Sequence, residues 1–241
     1  MDFSRRDFLA SGLLLFPAAA ALAQRPNFNE RQISPSLNVQ DKADIWTLHF
    51  NFKDPRMLPV DVPGRGRKVV WYMWYQVINR TAEPHTFIPD FELRTRDRNT
   101  QHTDEVLPAV QDAIRKIEDP SNRYNIQNSV TISKMPIPIT KPDSMPRAIT
   151  GIAIWTDVFE RARDTAHFDV FVSGLSNGWS IDDDGKIRRK TLHLEFKRYG
   201  DGSKVDSTEI RWVEPENWIY RVTSANVDVK LPPSVQPDTK K

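Results

Sequence analysis

The chain has no cysteine. Thiol catalysis, disulfide bonds and thiolate metal sites are therefore excluded, as is a lipid anchor carried on cysteine. It also lacks any strong excess of charge of one sign. A formal net charge of +2 on 241 residues does not provide the clustered basic face that nucleic-acid binding requires. Histidine is scarce, with five residues in all: His49, His85, His102, His167 and His193. No two of them stand three residues apart in the spacing of a helical zinc pair, so neither a metal site nor a cofactor is expected. There is no internal repeat. The longest apolar stretch, residues 8–22, is interrupted by Ser11, Gly12 and Pro17. It falls short of the roughly 20 apolar residues that a membrane-spanning helix needs.

That stretch instead has the organisation of an export signal. Ser4-Arg5-Arg6-Asp7-Phe8-Leu9 precedes it, and Ala21-Leu22-Ala23 ends it just before Gln24. A charged start, a short apolar centre and a small-x-small end define a secretory signal. The pair Arg5 and Arg6 followed by an apolar pair resembles the twin-arginine translocation motif. The resemblance implies export of a folded protein to the periplasm or beyond, with cleavage between Ala23 and Gln24. It covers only residues 1–23 and carries no information on activity. Removing those residues takes away Asp2, Asp7, Arg5 and Arg6, so the mature chain keeps its net charge. No membrane span is expected after cleavage.

Residues 24–43 are polar and contain Pro26 and Pro35, which reads as a flexible linker. At the other end, residues 223–241 include Pro232, Pro233 and Pro237 among charges, the composition of a disordered tail. The folded domain is expected over residues 44–222. It opens with Trp46, Leu48, Phe50 and Phe52 alternating with Thr47, His49 and Asn51, which places four apolar side chains on one sheet face. In residues 68–79 both faces are apolar, the pattern of a central strand. Strands are further expected over residues 85–95, 130–133, 148–158, 168–173, 190–199 and 207–213, the last joined to its predecessor by the turn Gly200-Asp201-Gly202-Ser203 and extended by residues 218–222. One helix interrupts them. Val106, Val110, Ile114 and Ile117 recur at helical spacing, with Thr103 as the expected cap and Pro108 as an alternative start.

About eight strands, one inserted helix and frequent turns predict a mainly β fold, an immunoglobulin-like antiparallel β-sandwich. Residues 75–81 together with Phe87-Ile88-Pro89-Asp90-Phe91 resemble the paired middle strands of bacterial extracellular sandwich modules. More loosely, the chain resembles uncharacterised exported β-sandwich proteins of planctomycete-type bacteria. That resemblance implies no catalytic residues.

Four features merit weighing as chemistry. Gly174-Leu175-Ser176-Asn177-Gly178 matches Gly-x-Ser-x-Gly literally, but a nucleophile elbow needs a helix after it, and the residues that follow have turn composition. Ser180-Ile181-Asp182-Asp183-Asp184-Gly185 resembles a calcium loop until its twelfth position, where Thr191 replaces the required glutamate. Gly64-Arg65-Gly66-Arg67-Lys68 is a small basic loop. Asp90 and Glu92 alternate on one strand, and paired acids of suitable separation hydrolyse glycosides. Structural roles account for the first three: strand exit, Asp-Gly turn and solvated loop; for the two acids, separation in space decides. The expectation is a non-catalytic interaction or structural module of the periplasm or cell surface, with an unknown protein or glycan partner. The alternatives are an exported hydrolase acting on glycans or esters, and a carbohydrate-binding module using exposed aromatics such as Trp179. A cavity gathering Asp90, Glu92 or Ser176 beside a histidine would favour the enzyme.

Overall fold

The computed structural model describes residues 30–183, 185–200, 205 and 209–223. Arg5, Arg6, Ala23 and Gln24, the tail 224–241, and Asp201, Gly202 and Ser203 of the expected turn lie outside the described residues. Two antiparallel sheets face one another, as the alternating pattern predicts. The described residues hold eleven strands rather than about eight, and three helices rather than one.

The first sheet is built on β4 (Gly66–Ile78). Along one side of it run β2 (His49–Lys53) and β3 (Arg56–Val62), and along the other β7 (Ile149–Trp155). Between Phe52↔Tyr75 and Arg56↔Tyr72 the β2–β3 side has one residue more than β4. This bulge falls at Asp54-Pro55, where proline has no N–H for the ladder. The basic loop is the hairpin turn between β3 and β4, with Gly64 and Gly66 at positive φ. The second sheet runs in the order β11 (Glu209–Arg221), β10 (Ile187–Tyr199), β8 (His167–Ser173), β5 (Asp90–Thr95), β6 (Gln101–Thr103), and β9 (Trp179–Ile181) pairs with β10.

Both faces of β4 are apolar because each meets a different layer. Trp71, Met73, Tyr75 and Val77 point into the space between the sheets, where they join Phe50, Phe91, Phe168, Val170, Leu194 and Phe196. Tyr72 and Trp74 point outward, to Val110 and Ile114 of the helix α1 (Pro108–Glu118). The central core is strongly aromatic. Trp71 meets Phe168 edge-on at 5.2 Å, and Phe168 stacks on Phe196 at 5.3 Å. Each such side chain contributes roughly 1.5–3 kcal/mol by leaving water, the source of stability open to a chain without disulfides. Gly151 lies opposite Tyr75, and a Cβ there would sit 2.4 Å from the Tyr75 ring. Only glycine lets that ring cross β7.

Three sequence expectations need correction. Thr103 does not cap α1. It ends β6 opposite Glu92, and the helix begins at Pro108 behind Leu107, with no side-chain cap. A fixed φ and a missing N–H make proline the natural first residue. Residues 130–133 are not a strand. They belong largely to a single helical turn, α2 (Ser129–Ile132), closed by a reciprocal box: the Asn128 side chain accepts from Val130 N and Thr131 N, and the Thr131 hydroxyl accepts from Asn128 N. Finally, the expected linker contains a strand, β1 (Glu30–Ile33), on the free side of β2. Its continuation is held by Lys190, whose ammonium donates to Ser36 O and to Asp41. A third helix, α3 (Val158–Arg161), is one turn long.

Candidate functional site

The two sheets are stitched together at one end. Leu48 N donates to Leu175 O, and Thr47 bridges Ser176. This seam carries the Gly-x-Ser-x-Gly sequence, and each of its three fixed positions has a packing reason. Gly174 has φ of +90°, and a Cβ there would stand 2.1 Å from Ile88 O. The Ser176 hydroxyl donates to Trp46 O at 2.7 Å and accepts from Thr47 Oγ1 and Gly178 N. A Cβ on Gly178 would meet the Tyr220 hydroxyl at 2.7 Å. None of these three contacts of the hydroxyl is a general base.

Beside the seam lies a cleft of about 390 Å³. Trp46, Ile88 and Pro89 supply apolar wall, and Asp90, Asn177 and Arg189 supply polar groups. Trp46 is backed by His85, stacked ring to ring at 4.1 Å with the planes 9° apart. Burial holds His85 below its ordinary pKa despite the pull of Glu83. Of the sequence candidates, Asp90 and Ser176 both line the cleft; Glu92 does not, and neither does any histidine. Glu92 is buried, with both carboxylate oxygens on Arg221. Asp90 and Glu92 thus do not act as an exposed acid pair.

The remaining candidates resolve into structure. Asp182 closes the turn between β9 and β10: its carboxylate accepts from Lys186 N and from the Arg188 guanidinium, and Gly185 takes φ of +75°. Asp184 lies outside the described residues. Among the described residues no group of three or more acidic, histidine or cysteine side chains is placed to hold a metal. In the basic loop, Arg65 pairs with Glu105, and Lys68 with Glu160. Trp179 is 45% exposed, but Lys42 sits 3.5 Å above its ring. His49 and His193 are both half-buried. His193 Nε2 donates to the Asp169 carboxylate at 2.7 Å, and the ring stacks on Phe171. Burial alone would raise the Asp169 pKa, but His193 and Arg96 overcome it and hold the carboxyl at about 2.

One arrangement was invisible in the sequence. Thr100 Oγ1 lies 2.7 Å from His102 Nε2, and His102 Nδ1 lies 2.6 Å from Asp157. Hydroxyl, imidazole and carboxylate stand in the order of a nucleophile set. However, the Thr100 hydroxyl is also held by Thr95 at 2.7 Å, the His102 side chain is wholly enclosed, and Asp157 is shared with Arg161. The chain of bonds ties the β5–β6 hairpin to α3. Burial keeps His102 below its ordinary pKa, against the opposing effect of Asp157.

Among the described residues no helix is long and apolar enough to cross a membrane. Comparison with models of known protein families, with curated proteins and with solved structures finds no match to this chain.

Proposed function

We propose that this chain is exported by the twin-arginine route and that its mature domain is a non-catalytic binding module of the periplasm or cell surface. The Arg5-Arg6 pair, the broken apolar stretch and the Ala21-Leu22-Ala23 end support export. The state of Ser176 carries the non-catalytic reading. The one serine in an elbow pattern spends its proton on the Trp46 carbonyl, and the cleft beside it is lined by no histidine. A cleft of this size, with apolar wall and a few polar groups, has the form of a small-ligand site.

Two experiments test the two halves. Replacing Arg5 and Arg6 with lysine leaves precursor in the cytoplasm; unchanged export of that variant refutes the route. A serine-reactive phosphonate probe leaves the protein unlabelled. Stoichiometric labelling that disappears in Ser176→Ala, or in Thr100→Val, establishes a hydrolase in place of a binding module.

A further inference from the structure

We propose that the cleft beside Trp46 binds a small ring-bearing carboxylate, the acid group on Arg189 and the ring against Trp46. This deepens the binding-module reading and rests on it. Three observations carry it. First, the guanidinium of Arg189 has no ion-pair or hydrogen-bond partner among the described residues, whereas its neighbour Arg188 is engaged by Asp182. A guanidinium offers two parallel N–H donors that match a carboxylate. Second, Thr223 is 5% exposed, and its hydroxyl has no partner among the described residues. Of the buried side-chain polar atoms left unpaired among those residues, Thr223 Oγ1 is the one that belongs to this cleft. A buried hydroxyl without a partner costs free energy, and a ligand oxygen satisfies it. Third, Asn177 presents its Oδ1 to Trp46 N at 2.8 Å. That fixes the amide so that its NH2 remains as a donor.

The cleft is therefore rich in donors and provided with one aromatic wall. Arg189, Asn177 and Thr223 call for acceptor oxygens, and the indole of Trp46, stiffened by His85 behind it, calls for a ring. Asp90 on the same wall makes the site mixed in charge, which suits a ligand with one acidic group and disfavours a polyanion. Two sources share this chemistry outside a cell: sugar acids and aromatic acids.

The test is an NMR titration of the 15N-labelled full chain with D-glucuronate, D-glucose and benzoate, following the Trp46 indole N–H, assigned with Trp46→Phe. Saturable shifts are expected with at least one of the two acids, and binding of glucose at least tenfold weaker. Glucuronate binding identifies a sugar acid; binding of benzoate alone identifies an aromatic acid. Arg189→Gln should weaken the bound acid tenfold or more, and Thr223→Val several-fold, with melting temperatures unchanged. No binding of either acid, glucose binding as well as glucuronate, or an Arg189→Gln protein that binds normally overturns the proposal. Failure here with no phosphonate labelling leaves the non-catalytic reading standing. Phosphonate labelling removes that reading whatever the titration shows.

Discussion

Lys190 is a buried charge paired with a buried carboxylate. Its side chain is 1% exposed and that of Asp41 is 7% exposed, with Nζ 2.6 Å from Oδ2. The ammonium also donates to Ser36 O and lies over the Trp218 ring. Asp41 in turn accepts from the Tyr220 hydroxyl and from Asn38 N. The pair thus fastens residues 36–41 to β10 and β11. Exchanging a buried pair for apolar groups is often nearly neutral, but removing one partner strands a charge and costs about 3–5 kcal/mol. Asp41→Asn should therefore destabilise by that amount at pH 7. For a domain of this size unfolding with an m-value of about 2–3 kcal/mol/M in urea, the midpoint falls by roughly 1–2.5 M. Asp41→Asn combined with Lys190→Met should recover part of the loss, since no ammonium is then left unpaired.

Acid should mimic the single variant. Burial pushes the Asp41 pKa up, but Lys190, Asn38 and Tyr220 together draw it below the ordinary value. A carboxyl depressed in the folded state stabilises above its unfolded pKa, and that stabilisation is lost as pH falls through the folded pKa. The wild-type advantage over Asp41→Asn should thus be full at pH 7, begin to fall at about pH 4, the unfolded value, and vanish only below the lower folded-state pKa. Urea titrations followed by tryptophan fluorescence provide the assay. An Asp41→Asn midpoint within 0.2 M of wild type (roughly 0.5 kcal/mol) refutes the reasoning, as does a double variant worse than the sum of its parts.

Trp71→Ala should cost about 3–5 kcal/mol, because the indole is fully buried between the sheets against Phe168; an unchanged thermal melt contradicts the assigned core. Gly174→Ala forces a Cβ into Ile88 O at positive φ and should cost at least about 1–3 kcal/mol, read from the same melts; a neutral result means the seam does not hold β8 to the chain before β5. Asp104 behaves opposite to Asp41. Burial raises its pKa to about 6, although Ser129 and Ile154 N bond to it. It therefore binds its proton more tightly when folded, and its contribution falls as pH rises from about 4 to 6. Wild type should lose more stability than Asp104→Asn over that interval in urea melts at pH 4.5 and 6.5; parallel losses contradict it.

The sandwich was legible because its strands alternate. Phe50 and Phe52, or Leu192, Leu194 and Phe196, announce one buried face each, and all five are buried. The doubly apolar β4 was equally plain, although its second partner, α1, was not. What escaped were elements whose signal is polar and local. Residues 130–133 read as a strand by their valine and isoleucine, while the capping box that decides the matter lies in Asn128 and Thr131. β1 escaped for a different reason. Glu30-Arg31-Gln32-Ile33 has little strand propensity of its own, and its place is set by pairing with β2, while the residues after it are held by the ion pair of Asp41 with Lys190, 149 positions away.

The serine motif was legible in the sequence and the cleft beside it was hidden. Gly-x-Ser-x-Gly is conspicuous because glycine is demanded wherever the backbone takes a positive φ or another chain comes close. A seam between two sheets makes that demand as surely as an active-site turn does. Gly174 yields to Ile88, Gly178 to Tyr220, and Ser176 between them serves the Trp46 carbonyl. The same crowding opens the neighbouring cleft: β8 must leave its sheet at Gly174 to reach Thr47, and the residues before β5 fold over the gap. Its walls come from the seam, the approach to β5, β10 and the residue two past β11. Trp46, Arg189 and Thr223 are therefore far apart in sequence, with no spacing to betray them. The one local trace is negative. Arg188 and Arg189 stand side by side on a strand, so they face opposite ways, and among the described residues only the first is paired with an acid. An arginine with no acid paired to it among the described residues, on the wall of a cleft, is where a test of the proposed ligand should begin.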